Sequence, residues 1–479
     1  MAFLEGGSDA SPLPSIWLNK ICSCKVSQHS IEMDIVMKTH KYTQLPVIIV
    51  GGGLSGLSAA AYLAQAGYAV MLFEKASTLG GRARTRQRNG FFFNQGAHAF
   101  RLGGAGERVL NELGVSYRGL LPQPLGVSAL VDGKVHSLAP GGTSLLEMPF
   151  LPLAAKEELM RLFAGLKHLN TQALQGKSLQ GWLEEEVKHP QARQFLLARA
   201  RISTYTTASD LLSAGLALSL LSRQVVYLDE GWQTLVDGLQ QKAQEAGAHL
   251  ITQVSVKAVE VAGERYHVRL ADGSRYEASA VLLATDPATA CDLVFDGTHE
   301  ALSRWAAQAI PARVACLDIA LRRLPNAENL TTLCLDRPLY YSVHSASAHL
   351  APEGSALIHL MKYLRPDETA EPVASRQELE ALMDLLQPGW RAEVIEESFL
   401  PHMIASNAIV QARLGGVGGR PASAVPGLPS LYIAGDWVGP EGEKAEACFA
   451  SARSAARLIM AQLSTGRSAS LVSSSSVID

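Results

Sequence analysis

Cysteine is scarce: six residues in a chain of 479, at positions 22, 24, 291, 316, 334 and 448. So few, scattered so widely, exclude a disulfide-stapled scaffold. The Cys22-Ser23-Cys24 pair has neither the spacing of a zinc site nor a second ligand pair nearby. The cysteines read as reduced thiols, which predicts a cytoplasmic protein. An excess of charge of one sign is also lacking. Lysine and arginine number 42 against 45 aspartate and glutamate, for a net charge of −3. The basic surplus typical of nucleic-acid binders is therefore missing. No run reaches the ~18 apolar residues that a membrane span needs. The longest candidate, Leu211 to Leu221, lies between Asp210 and Arg223 and reads as a buried helix. The first residues lack the basic-then-apolar order of a signal peptide.

What is present is ordinary globular composition, 47% hydrophobic and 18% charged. At roughly 100–200 residues per domain, two or three domains are expected. Residues 1–45 mix Gly, Ser, Pro and isolated apolar residues without period. They read as a disordered extension, with Met33 and Met37 as alternative starts. The Ser-rich stretch 464–479 reads as a disordered tail. Between them, strand Val47–Val50, a helix of small residues from Ser55 to Ala66, and strand Ala69–Phe73 form a βαβ pattern. Residues 126–225 carry Leu, Ala and Glu at helical spacing and read as mainly helical. Helix Gln233–Ala246, strand Leu250–Val254, a hairpin turning at Asp272-Gly273 and strand Ala280–Ala284 restore α/β character. Residues 291–420 are mixed, with β-like runs at Val314–Leu321 and Ala356–Met361. Strand Leu431–Ala434 and a small-residue helix from about Glu443 to Leu463 close the chain.

The sharpest chemical signal is Gly51-Gly52-Gly53-Leu54-Ser55-Gly56, in which Gly51, Gly53 and Gly56 stand at G-x-G-x-x-G spacing. Gly51 permits the tight strand-to-helix turn, Gly53 lets backbone approach a pyrophosphate, and Gly56 lets the helix pack close to the strand. The helix N-terminus adds free amides and its positive dipole end. Glu74 ends the next strand, 23 residues after Gly51, where an acidic side chain accepts from a ribose diol and disfavours a 2′-phosphate. The following loop, Gly80-Gly81-Arg82-Ala83-Arg84-Thr85, adds backbone freedom and a guanidinium fork suited to phosphate. Far downstream, Ala434-Gly435-Asp436 ends an apolar strand ahead of the last helix. Asp436 is placed to bind ribityl hydroxyls, and the helix N-terminus to face the N1/O2 edge of a flavin. The pairing points to FAD rather than NAD.

Together these segments resemble the flavin-containing amine oxidase and phytoene (carotenoid) desaturase superfamily. The likeness covers about residues 46–463 and is sharp at both ends. It implies an α/β fold in which a two-dinucleotide-binding, glutathione-reductase-like Rossmann-type FAD domain (46–125, 226–290 and 421–463) interleaves with a mixed α+β substrate domain (126–225 and 291–420). Asp229-Glu230-Gly231-Trp232 stands where the family usually has Pro-x-Gly-Gly. Val256 matches the position whose backbone contacts adenine. The expected cofactor-binding residues are Gly51, Gly53, Leu54, Ser55, Gly56, Glu74, Lys75, Gly81, Arg82, Val256, Gly435 and Asp436. Some amine oxidases attach flavin to a cysteine a few tens of residues before the final strand. No cysteine lies between Cys334 and Cys448, so FAD is expected to be non-covalent.

Leu339-Tyr340-Tyr341-Ser342-Val343-His344-Ser345 and Asn94-Gln95-Gly96-Ala97-His98-Ala99 resemble the desaturase branch. The resemblance implies an FAD-dependent oxidoreductase that transfers hydride from an apolar, isoprenoid-type small molecule to flavin N5. Reversible, peripheral membrane contact fits such a substrate; a nucleic-acid partner and a metal do not. Two alternatives stand beside this reading. One is an amine oxidase producing hydrogen peroxide. The other is a prenyl-protein binding module without flavin, which the intact Gly-Gly-Arg and Ala-Gly-Asp elements oppose. In this superfamily the flavin performs the redox step, and no catalytic side chain is assigned. His98 is either a donor near the flavin or a structural histidine. Lys362 is either a water-holding lysine or a solvated one. Trp437 packs either on the flavin or in the core.

Overall fold

The computed structural model describes residues 45–138, 145–369 and 371–474; of Asp296 and 466–474 it gives the backbone only. The extension expected at residues 1–45 lies outside the described residues except for Leu45, as do Cys22 and Cys24.

One five-stranded parallel sheet is built from three distant stretches of chain. Its strands are β1 (Val47–Val50), β2 (Val70–Phe73), β3 (His249–Ile251), β4 (Ala280–Leu283) and β5 (Leu431–Ile433), in the spatial order β3-β2-β1-β4-β5. Every residue of β1, β2, β4 and β5 is buried. That explains why these strands read as continuous apolar runs rather than alternating ones. Helix α1 (Leu54–Gln65) follows β1 and is buried from Leu54 through Ala61. It packs against α2 (Gln233–Glu245) and α3 (Ala445–Ser474). Its Gly, Ser and Ala content lets three helices approach one sheet closely. Leu57, Leu63, Ile49 and Leu72 are wholly enclosed between them, each contributing about 1.5–3 kcal/mol of burial.

An antiparallel three-stranded sheet, Val256–Ala262, Arg265–Leu270 and Arg275–Ala278, interrupts the parallel sheet between β3 and β4. Its second hairpin turns at Asp272-Gly273, with Gly273 at φ +90°. The third large element is a seven-stranded sheet in the order Val394–Ser406, Ala312–Leu321, Ala356–Leu364, Leu339–Val343, Thr331–Cys334, Val127–Val131 and Lys134–Ser137. Helices Leu153–Gly165, Leu179–Glu186, Pro190–Thr204 and Ala214–Leu220 build a separate apolar cluster beside it. The run Leu211–Leu221 contains the last of these, buried as the sequence suggested.

Two expectations hold only in part. Residues 126–225 are mainly helical from Leu153 on, but Val127–Val131 and Lys134–Ser137 form a hairpin at the edge of the seven-stranded sheet. Asp132 and Gly133, both at positive φ (+51° and +72°), make its two-residue turn, whereas at 272–273 only Gly273 has positive φ. The stretch from Ser464 to Ser474 is not a disordered tail but continues α3. No proline interrupts it, and the hydroxyls of Ser464 and Thr465 bond back to the carbonyls of Met460 and Ala461.

Candidate functional site

A cavity of about 700 Å³ runs from the β1–α1 turn to the space between the helical cluster and the seven-stranded sheet. At its first end the glycine turn is built to the tolerance of single atoms. Gly51 adopts φ +106°, and a Cβ there would stand 2.5 Å from the Ala284 carbonyl oxygen. A Cβ on Gly56 would stand 1.9 Å from the Gly51 carbonyl oxygen, so α1 sits as close to the turn as backbone allows. Gly53 differs. A Cβ on it meets nothing in the chain and would project into open space. Gly51, Gly53, Leu54 and Ser55 line the cavity, whereas Gly56 lies beneath it.

Glu74 and Lys75, after β2, line the same end. Glu74 also braces the turn itself. One carboxylate oxygen accepts from the Gly52 amide at 2.7 Å, the other from the Ala76 amide at 2.8 Å. Gly81, Arg82, Val256, Gly435 and Asp436 complete the set, so every expected cofactor-binding residue except Gly56 borders the cavity.

Asp436 is not free to serve a ligand alone. It is 1% exposed, and its Oδ2 accepts from Arg82 Nη1 and from the Asn407 amide, both at 2.9 Å. Its Oδ1 accepts from Asn407 Nδ2 at 2.9 Å. Burial works to raise the carboxyl pKa, but Arg82 and the two Asn407 bonds outweigh it and hold the group below its ordinary value. Within the chain it fixes Arg82 and Asn407 at the cavity wall, and it also borders the cavity. Behind it, Arg420 donates to the carbonyls of Asp436, Glu441 and Gly442, tying down the loop that leads into α3. Burial lowers that guanidinium to about 10.

His98 lines the cavity, but both ring nitrogens face backbone carbonyls, Gly96 at 2.9 Å and Arg82 at 3.1 Å, and Trp232 packs on its edge. Burial lowers its pKa against the pull of those acceptors. Of the two roles considered, the structural one fits. Lys362 pairs with Glu378 at 2.7 Å and Glu368 at 3.6 Å and does not border the cavity. Trp437 donates to the Thr285 carbonyl at 2.9 Å and is a core residue.

The other end of the cavity holds groups that the sequence did not announce. Strand Phe100–Arg101 pairs with Val225–Leu228. Arg101 reaches Glu443 at 2.7 Å, and Lys444 reaches the same oxygen at 2.9 Å, as ion pairs rather than aligned hydrogen bonds. Lys444 also lies 4.0 Å over the Tyr205 ring and donates to the Ser203 carbonyl. Its desolvation outweighs Glu443 and pulls its pKa down to about 8. Tyr340 comes from the seven-stranded sheet; its hydroxyl meets His344 Nε2 at 2.9 Å. His344 stacks on Tyr227 at 3.7 Å and lies 4.4 Å from His359, whose Nδ1 is 2.7 Å from Asp318. Asp318 and His359 are cross-strand neighbours, both buried. Burial, with His359 and His98 nearby, holds His344 well below the ordinary imidazole range.

A family model described as flavin containing amine oxidoreductase matches residues 54–460. The chain belongs to that family. It is an FAD-dependent oxidoreductase. The glycine cradle, open above Gly53, and the cationic Arg82 beside it fit the pyrophosphate of that cofactor. Among curated proteins it is 56% identical over 50 residues to a carotenoid 3,4-desaturase of Haloarcula japonica, 10% of each chain. It is 27% identical over 277 residues to a phytoene desaturase of Cercospora nicotianae, 50% of this chain and 45% of that one. The matched segments thus span less than half the length of those relatives. Among solved structures, an oxidoreductase of Methanosarcina mazei superposes with a TM-score of 0.69 at 19% identity, covering 86% of this chain and 99% of that one. That likeness establishes a shared mixed α/β fold.

Proposed function

We propose that the chain holds FAD non-covalently in a two-dinucleotide-binding layout and oxidises an apolar, isoprenoid-type small molecule in the manner of a desaturase. The β3-β2-β1-β4-β5 parallel sheet with an antiparallel meander before β4 supports that layout. So does the assembly of the sheet from residues 47–73, 249–283 and 431–433, which favours the interleaved domains expected from sequence. On this reading the amides opening α1 receive the pyrophosphate, with Gly53 leaving room for it. Glu74 has lone pairs left beyond its two backbone bonds and accepts from the adenosine ribose. Arg82 and Asn407, fixed by Asp436, face the middle of the cofactor, with Gly435 leaving the backbone accessible. The N-terminus of α3 presents its positive end to the flavin ring. Cys448 borders the cavity, but burial pushes its thiol up to about 12. That suppresses the thiolate a covalent linkage needs.

Bound FAD supplies the two-electron oxidation; the chain supplies position and exclusion of water. The observation that carries the substrate assignment is the composition of the far wall. Ile202, Leu220, Leu221 and Val225 line it with the tyrosines 205, 227 and 340. Of its two carboxylates, Glu443 is paired with Arg101 and Lys444, and Glu446 accepts from the Gly106 amide while burial raises its pKa above the ordinary carboxylate value. An ammonium substrate thus meets no ring of ionised, unpaired carboxylates there, which disfavours the amine oxidase alternative. An isoprenoid substrate partitions into bilayers, so the reading includes reversible membrane contact. Leu120, Leu121 and Leu125, exposed within six residues of one another, offer the apolar surface for it. Among the described residues no helix is long and apolar enough to cross a membrane. The test is anaerobic reduction of the purified yellow protein by a panel of polyenes, amines and porphyrinogens, followed at the flavin band. Bleaching by a polyene supports the proposal; bleaching by an amine alone refutes it.

A further inference from the structure

Two arginines on the far wall have side chains without a partner among the described residues. Arg199, on helix Pro190–Thr204, and Arg223, just beyond helix Ala214–Leu220, both border the cavity and both are exposed. Among the described residues neither side chain makes a hydrogen bond or an ion pair, unlike those of Arg82, Arg101 and Lys444 in the same cavity. The surroundings of Arg199 nevertheless lower its pKa, with desolvation as the cause. A side chain that is exposed and yet desolvated by the mass around it projects into an enclosed space rather than bulk water. One strand brings the two arginines to the same side. Arg101 donates to the carbonyl of Ser203, one helical turn from Arg199, and the Leu102 amide donates to the carbonyl of Gln224, next to Arg223.

A guanidinium in such a space is under-solvated, and the cost is recovered when an anion reaches it. Its neighbours Ile202, Leu220, Leu221 and Val225 are apolar. We propose that the substrate end of the cavity binds an amphiphilic anion, an apolar chain ending in a carboxylate or phosphate, with the anionic group on Arg199 and Arg223. This rests on the reading above that this end of the cavity receives the substrate, and it narrows that reading. A wholly apolar hydrocarbon leaves both arginines unmet, whereas a chain with one acidic end meets both the apolar wall and the cations.

The test uses the FAD-loaded protein and three probes with one polyene body: retinoate, retinyl phosphate and methyl retinoate. Binding is read from perturbation of the flavin band. At least one anion is expected to bind about tenfold to hundredfold more tightly than the neutral ester, the range of a charge-assisted contact. Arg199→Gln is expected to bring anion and ester to parity, leaving the ester's affinity and the FAD content unchanged, while Arg199→Lys retains part of the preference. Preference for the carboxylate or for the phosphate supports the proposal and identifies the group. Ester and anions binding equally well to the unaltered protein overturns it while leaving the apolar-substrate reading intact. Failure of all three probes to bind overturns both. Loss of FAD from Arg199→Gln overturns it by placing Arg199 in the cofactor site.

Discussion

Replacing Asp436 by alanine separates two roles that the sequence alone merges. In the structure its carboxylate accepts three hydrogen bonds, two from Asn407 and one from Arg82. A bond to a charged acceptor is worth about 1.5–3 kcal/mol. The Arg82 side chain is 40% exposed, so water replaces much of its lost contact and its share falls to about 1 kcal/mol or less. The two Asn407 bonds end on a carboxylate that is 1% exposed and account for most of the loss. Asp436→Ala is therefore expected to lower folding stability by about 3 kcal/mol or more, before any effect on the cofactor. The assay is urea unfolding over a series of FAD concentrations. A ligand that binds only the folded state adds RT ln(1 + [L]/Kd) to stability. A residue that serves only the cofactor alters that increment, and its variant converges with the unaltered protein as FAD approaches zero. A residue that also fixes the wall lowers the intercept itself. Convergence within about 0.5 kcal/mol, the span of an ordinary surface substitution, would falsify the assignment of Asp436 as an internal anchor.

Gly53→Ala is expected to leave urea stability without FAD unchanged, because the new methyl meets no atom of the chain, and to weaken FAD binding about tenfold or more by standing in the phosphate path; unchanged affinity by fluorescence titration counts against the cradle. Gly56→Ala has no such room, 1.9 Å from a carbonyl oxygen, and is expected to cost about 1–3 kcal/mol or more of stability through overpacking; retained stability shows that α1 can retreat from the turn. Glu74→Gln keeps one acceptor for the Gly52 or Ala76 amide and is expected to reduce both stability and FAD affinity, each measurably less than Glu74→Ala. For Lys444, folding depresses the pKa from 10.5 to about 8. Between those values the unfolded chain binds the proton and the folded one does not, so this group makes stability rise with pH there. Denaturation midpoints at pH 8 and pH 10 are expected to rise more in the unaltered protein than in Lys444→Met; equal slopes contradict the shift.

The cofactor half of the cavity was legible because its chemistry is local. A strand, a turn and a helix within twenty residues suggest the roles of Gly51, Gly53 and Gly56, and the structure places Gly51 and Gly56 where a side chain would not fit and leaves Gly53 open to the cavity. The bounds of β1 and β2 followed from continuous apolar runs for the same reason. What escaped is what distant segments supply. Arg82 meets Asp436 across 354 positions, and Asn407 reaches the same carboxylate from an unrelated stretch without a motif of its own. Lys444 and Arg101 converge on Glu443 only because one follows the last strand of the parallel sheet and the other pairs with Val225. The hairpin at 127–137 was missed for a different reason. Its Asp-Gly turn was present in the sequence, but the long helical periodicity after it outweighed a short signal.

The same division explains where the molecule departs from an apolar core. Asp318 and His359 in the seven-stranded sheet, and His344 just beyond its strand Leu339–Val343, are as buried as its leucines. Asp318 Oδ2, His344 Nδ1 and His359 Nε2 have no hydrogen-bond partner among the described residues. Each such group costs about 1–3 kcal/mol, and an apolar side chain of similar shape at any of them avoids the penalty. The cluster is not isolated: His344 stacks on Tyr227 and bonds to Tyr340, both of which border the cavity. Polar groups retained at a net cost beside a cavity are where local rules of packing yield to function. Near the glycine cradle the sequence obeys general rules for holding a dinucleotide. At the opposite end, the arginines unpartnered among the described residues and the buried histidines follow no rule of packing, so on the proposed reading the determinants of substrate choice lie there.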